Sequence, residues 1–151
     1  MKCSGAAYCA SLFAELEDST LNLGWHCDPK DKDPRSEEKR QQAFLRDARI
    51  LCPAVDLFAV PNAGRRTRWE IAKAKREGLK SGVLDIVASW SGGGVAFLEF
   101  KNGTDMPDAN QRDRLNLYVR QKHHCGVFRQ EASALRWLRE CGAPFLTRGP
   151  L

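Results

Sequence analysis

No apolar run in the sequence approaches the roughly 20 residues that cross a bilayer, so no membrane-spanning helix is expected. Six cysteines (Cys3, Cys9, Cys27, Cys52, Cys125 and Cys141) are scattered without a Cys-x-x-Cys pair, which excludes zinc-ribbon spacing and argues against a disulfide framework. The first twenty residues hold an Ala-rich stretch interrupted by Tyr8 and closed by Glu15, Glu17 and Asp18, without the uninterrupted apolar core of a signal peptide. Free thiols in a reducing cytoplasm are the expectation. Histidine is scarce as well. His26 beside Cys27 has no second ligand pair at metal spacing, and a favourable dipole interaction at a helix end accounts for His123 and His124. No repeat is visible, and 151 residues fit one domain.

What is present is positive charge, and its distribution says more than its sum. Between Gly64 and Lys80 lie seven basic residues (Arg65, Arg66, Arg68, Lys73, Lys75, Arg76 and Lys80) against two acidic ones, Glu70 and Glu77; this excess equals the formal +5 of the whole chain. Such a segment favours a polyanionic partner. Glu70, Lys73, Glu77 and Lys80 also have the spacing of ion pairs along a solvated helix face. The arginines at 65, 66 and 68 sit in a glycine-containing turn instead, which favours phosphate contact.

Along the chain, Leu12, Phe13 and Leu16 suggest a short helix within residues 1–24, and 28–36, bracketed by Pro29 and Pro34, reads as a linker. Ser36 is an expected N-cap for a helix over 37–50, with Glu37 and Glu38 favouring its dipole and Glu37, Gln41, Phe44 and Ala48 on one face. A strand is expected over 55–60 and a helix over 69–78, stopped by Gly78. After a polar loop, Asp108 or Asn110 caps a helix running to about Lys122. A strand over 125–128 and a helix over 131–141 close the chain.

The most informative stretch runs from Gly82 to Lys101. Two apolar runs, Val83–Trp90 and Val95–Phe100, flank a turn at 91–94 and predict two buried antiparallel strands. Alternation places Phe97, Glu99 and Lys101 on one face and Leu98 and Phe100 on the other. A register pairing Trp90 with Gly94 leaves a three-residue loop and sets Asp85 opposite Glu99. Two carboxylates and an ammonium then share one patch at the rim of a hydrophobic sheet. Two close carboxylates that both stay ionised need a cation between them, and a hard dication such as Mg²⁺ commonly uses one or two carboxylates. A lysine beside them suits activation of water or stabilisation of a charged transition state, as in phosphodiester hydrolysis.

Asp85 followed by Glu99-Phe100-Lys101 on the next strand resembles the Asp…Glu-x-Lys core of the PD-(D/E)XK nuclease superfamily. The neighbouring words Val60-Pro61-Asn62-Ala63-Gly64-Arg65 and Gly78-Leu79-Lys80-Ser81-Gly82-Val83-Leu84-Asp85, with Gln111 after a polar loop, resemble the VRR-NUC (virus-type replication-repair nuclease) family over 36–141. Leu84 stands where that family usually has proline, and Ala63 replaces a glycine; neither change removes a ligand.

The resemblance implies an α/β fold with a restriction-endonuclease-like core, a central mixed sheet of about four strands flanked by helices, occupying 36–151 behind an extension and linker over 1–35. It implies Mg²⁺- or Mn²⁺-dependent hydrolysis of DNA, with Glu37, Asp85, Glu99 and the Phe100 carbonyl holding metal. Lys101 then positions or activates water, and Gln111 assists, although Gln111 also suits an ordinary first-turn role. Arg65, Arg66, Arg68, Lys73 and Lys80 are the expected DNA contacts. A homodimer and a phage or prophage origin fit the same resemblance. The alternatives are a non-catalytic nucleic-acid-binding module on a nuclease fold and a structural protein of a virus-like element.

Overall fold

A computed structural model describes residues 21–61, 67–78, 80 and 82–147. In chain order the elements are β1 (His26–Cys27), α1 (Glu37–Leu51), β2 (Asp56–Ala59), α2 (Arg68–Arg76), β3 (Ile86–Trp90), β4 (Gly94–Phe100), α3 (Ala109–Arg120), β5 (His124–Phe128) and α4 (Glu131–Glu140). The strands form one sheet in the order β1-β5-β4-β3-β2. It is mixed: β2, β3 and β4 pair antiparallel, whereas β4, β5 and β1 pair parallel. This is an α/β fold compatible with a restriction-endonuclease-like core, with five strands rather than about four. The additional strand is β1, whose two residues are too few to show a period and are held by pairing with Gly126 and Val127.

The β3–β4 hairpin has the register expected from its pattern, from Trp90 opposite Gly94 to Ile86 opposite Leu98. Gly92 and Gly93 adopt φ of 86° and 82°, the left-handed conformation that a tight loop needs and glycine accepts at little cost. The ladder begins at Ile86 rather than Val83, because the side chain of Asp85 takes over from the backbone where pairing would continue.

Alternation along β4 divides the protein into two cores. Ile86, Ala88, Ala96, Leu98 and Phe100 face Phe44 and Ala48 of α1 and Ala134 and Leu138 of α4. On the other side Leu84, Cys125 and Val127 meet Leu115 of α3 and Trp25, with Phe97 stacked on Tyr118 at 3.9 Å. Phe44 is fully buried with its ring 5.4 Å from that of Phe100, and truncating either would cost about 3–5 kcal/mol. The caps follow local chemistry: Ser36 accepts from the Lys39 amide, and Asp108 rather than Asn110 caps α3.

Residues 28–36 contain no helix or strand, as expected of a linker, yet they are fastened to the body. Asp28 is buried and accepts from the Arg129 amide at 2.8 Å, and Asp31 binds the fully buried Arg40 at 2.8 and 3.0 Å. Arg129, also fully buried, donates to the carbonyls of Asp28, Gly103 and Asp105. Together with β1, this ties residues 26–35 to the body of the protein. Of the helix expected within 1–24, residues 1–20 lie outside the described residues. Four cysteines, Cys27, Cys52, Cys125 and Cys141, are free, and burial pushes the Cys125 thiol up to about 12. Among the described residues no helix is long and apolar enough to cross a membrane.

Candidate active site

Asp85 immediately precedes β3, and Glu99 is the penultimate residue of β4. Where the ladder ends, their side chains and amides interlock: the Asp85 amide donates to Glu99 Oε2 at 3.2 Å, and the Phe100 amide donates to Asp85 Oδ2 at 2.8 Å. The Asp85 carbonyl accepts from the Val60 amide at 2.8 Å, so β4 and the residue that follows β2 both hold Asp85 in place. Lys101 follows β4, its amide donating to the Phe128 carbonyl at 2.9 Å. Its ammonium lies 2.9 Å from Glu99 Oε1 and 3.9 Å from Glu37 Oε1. The two carboxylates and the ammonium therefore form the single patch that strand alternation predicts.

Gln111 joins this patch from α3. Its carbonyl oxygen accepts from the Asp108 amide at 3.0 Å, completing a capping box, which leaves its NH₂ free to donate to Glu99 Oε1. One side chain thus both starts the helix and reaches the site. Gly82 allows the close approach, because a Cβ there would collide with the Asn110 carbonyl, and its φ of 70° also disfavours other residues.

Glu37 reaches the site from the first turn of α1, about two-fifths exposed, and Glu38 turns away to accept from Gln42 at 3.1 Å. The Phe100 ring lies in the main core, so only the backbone of that residue borders the site. Arg68 and Lys73 project from α2 into solvent, and Lys80 is exposed beyond it. Arg65 and Arg66 lie outside the described residues.

Glu99 is 1 % exposed, and its pKa is raised to about 7 by burial and by the neighbouring Asp85, with Lys101 partly offsetting both. Burial opposes charge on Lys101, yet its hydrogen bond to Glu99 and the attraction of Glu99, Glu37 and Asp85 raise its pKa overall. Three carboxylates surround one ammonium.

Among the described residues no three His, Cys, Asp or Glu side chains converge closely enough to hold a metal by themselves. Asp85 and Glu99 nevertheless suit a hard dication: both offer oxygen, Mg²⁺ needs only one or two carboxylates, and added positive charge would relieve the repulsion that raises Glu99. Sequence reasoning overlooked the neighbouring network of Asp28, Arg40 and Arg129. Its partners lie far apart in the chain, and in sequence each of these residues looks like a surface charge. Comparison with protein-family models, with curated proteins and with solved structures gives no match.

Proposed function

We propose that the protein is a metal-dependent DNA endonuclease of the kind its sequence resembles, the VRR-NUC branch of the PD-(D/E)XK nucleases. The observation that carries this reading is the buried Glu99, interlocked with Asp85 and 2.9 Å from the Lys101 ammonium at the open end of the hairpin. A buried carboxylate whose pKa is raised by desolvation and a specific neighbouring charge is a functional-site candidate on physical grounds.

In the proposed reaction, a water oxygen bonds to phosphorus and one P–O bond of the phosphodiester breaks. The released sugar oxygen takes a proton, and the other product keeps the phosphate. Asp85 and Glu99 would hold Mg²⁺ or Mn²⁺, with Glu37 and the Phe100 carbonyl as further donors; when bound, the ion supplies Lewis acidity toward a phosphate oxygen. Lys101 orients the attacking water or offsets charge as it develops in the transition state. Gln111 holds the Glu99 carboxylate in place. Arg65, Arg66, Arg68, Lys73 and Lys80 retain the DNA backbone, and a homodimer would allow both strands to be cut.

One observation favours a non-catalytic binding module instead. Both oxygens of Glu99 already accept from protein groups, as they would in a purely structural ion pair. A panel of duplex, nicked, branched and single-stranded DNA with Mg²⁺, Mn²⁺ or EDTA distinguishes the two. The nuclease proposal requires cleavage that EDTA and Asp85→Asn both abolish. Binding without cleavage under either metal would leave the module.

A further inference from the structure

Each of α1, α3 and α4 buries side chains against the sheet, but α2 buries none. It has nine residues, and isolated helices shorter than about 12–15 residues are marginal in water. Local devices support it: Thr67 and Glu70 form a capping box, and Lys73 lies 3.9 Å from Glu77. These amount to tenths of a kcal/mol for a pair and about 1 kcal/mol for a cap.

At about 100° per residue, Lys75, Arg68, Ala72, Arg76, Trp69 and Lys73 occupy one half of this helix, in that order around it. The other half carries both carboxylates, Glu70 and Glu77, with Ile71 and Ala74. All four cations of α2 therefore share a face with Trp69, which is 66 % exposed, and the indole lies between Arg76 and Lys73. The Lys73 ammonium is 5.7 Å from the indole ring centre.

We infer that this face of α2 is a DNA-docking surface, on which Arg68, Lys73, Lys75 and Arg76 meet phosphates and the Trp69 indole packs against the sugars and bases between them. The inference rests on the nucleic-acid substrate proposed above. A solvated helix face accounts for the cations and leaves the exposed indole unexplained. A membrane surface would need a broad apolar sector, whereas the half opposite the cations holds two carboxylates and only Ile71 and Ala74 as apolar residues. Protein interfaces exclude lysine from their centres, but here cations surround the aromatic group. A polyanion bearing stackable rings matches both features.

The test uses the full chain carrying Asp85→Asn, in EDTA, with a fluorescein-labelled single-stranded DNA, whose base faces are open to an indole, and follows binding by anisotropy across a salt series. Trp69→Ala is expected to weaken binding about tenfold with little change in salt slope. Lys75→Ala with Arg76→Ala should weaken binding equally on unrelated sequences and make the slope shallower by about 1.4. Ile71→Ala, on the opposite half, should change neither. Because Trp69 belongs to neither core cluster among the described residues, its loss is not expected to unfold the protein, and an unchanged melting temperature checks this. An affinity within twofold of the parent for Trp69→Ala would overturn the inference. So would self-association that Trp69→Ala abolishes while DNA binding persists. If wild-type protein cleaves DNA while Trp69→Ala binds it unchanged, only this interface falls. If DNA docks through this face but no metal supports cleavage, the interface stands and the nuclease proposal falls.

Discussion

Two clusters of buried charge lie on neighbouring parts of the fold and are resolved in opposite ways. In the cluster around Arg40, the guanidinium donates to the carbonyls of Arg35, Asp33 and Arg129 and to both oxygens of Asp31. Asp28 accepts from two backbone amides, Ser133 and His26. In the cluster around Glu99, three carboxylates face one ammonium. The carboxyl pKa values diverge accordingly. Although burial raises the Asp28 pKa, its hydrogen bonds to His26, Arg129, Ser133 and Gln130 bring it below the usual range, and Arg40 does the same for Asp31; Glu99 is pushed up to about 7. Buried charge that is fully partnered holds the chain together. A buried carboxylate set beside a second one, as Glu99 is beside Asp85, has its ionised form disfavoured, and a bound cation would reverse this.

The sharpest way to break this comparison is at the site itself. Asp85→Asn or Glu99→Gln should abolish cleavage in a single-turnover assay, because each removes a metal-binding charge while keeping nearly the same volume. Because burial and Asp85 disfavour the ionised form of Glu99, Glu99→Gln should leave the melting temperature at neutral pH unchanged or higher. Cleavage at the parent rate under saturating Mg²⁺ would show that the pair is not the metal site. In the balanced cluster the same kind of change should act on stability. Arg40→Met, which takes the cation from Asp31 and the donor from the carbonyls of Asp33, Arg35 and Arg129, should cost about 3–5 kcal/mol in urea denaturation. A loss below about 1 kcal/mol would show that these hydrogen bonds contribute little.

Lys101→Met tests whether the ammonium beside Glu99 acts in the ground state or the transition state. Single-turnover cleavage should fall about a hundredfold, with DNA affinity within a few-fold of the parent, since its contribution is realised as charge develops. Equal losses in binding and rate would make it an ordinary phosphate contact.

The smallest effect, and the most diagnostic, is the pH dependence of the metal-free protein. Glu99 has a folded pKa near 7 against an ordinary 4.5, so its ionisation opposes folding: there is no penalty below 4.5, the penalty grows between 4.5 and 7, and it is constant above. Asp28 and Asp31 have lowered folded values, so their contribution is present above 3.8 and is lost as pH falls through those values. Melting temperature should therefore decline by a few degrees from pH 4.5 to 7, and Glu99→Gln should remove that decline. Added Mg²⁺ should flatten it as well, by holding Glu99 ionised. A wild-type profile rising over this range would contradict the assignment.

Much of the site was legible because its geometry is local. A period of two and a short loop define the hairpin register, and that register brings Asp85 and Glu99 together. Ser36 and Asp108 could be read as caps because capping chemistry spans only a few residues. Strand β1 escaped notice because two residues carry no period, and the clamp between Asp28 and Arg129 because a separation of 101 residues leaves no local signal. The basic content of 64–80 was plain from the chain, but that α2 buries nothing was not: the same residues could equally have packed Trp69 and Ile71 into a core.

By itself, then, the sequence determined the types of the described elements other than β1, the hairpin register and the sharing of one strand face by Glu99 and Lys101, since all of these follow from backbone periodicity and short-range sterics. Tertiary structure alone decided that Glu37 from α1 and Gln111 from α3 converge on that face, and that Glu99 is almost wholly removed from water. Desolvation and long-range charge proximity depend on how the helices pack across the sheet, and that packing is a property of the assembled cores rather than of any stretch of chain.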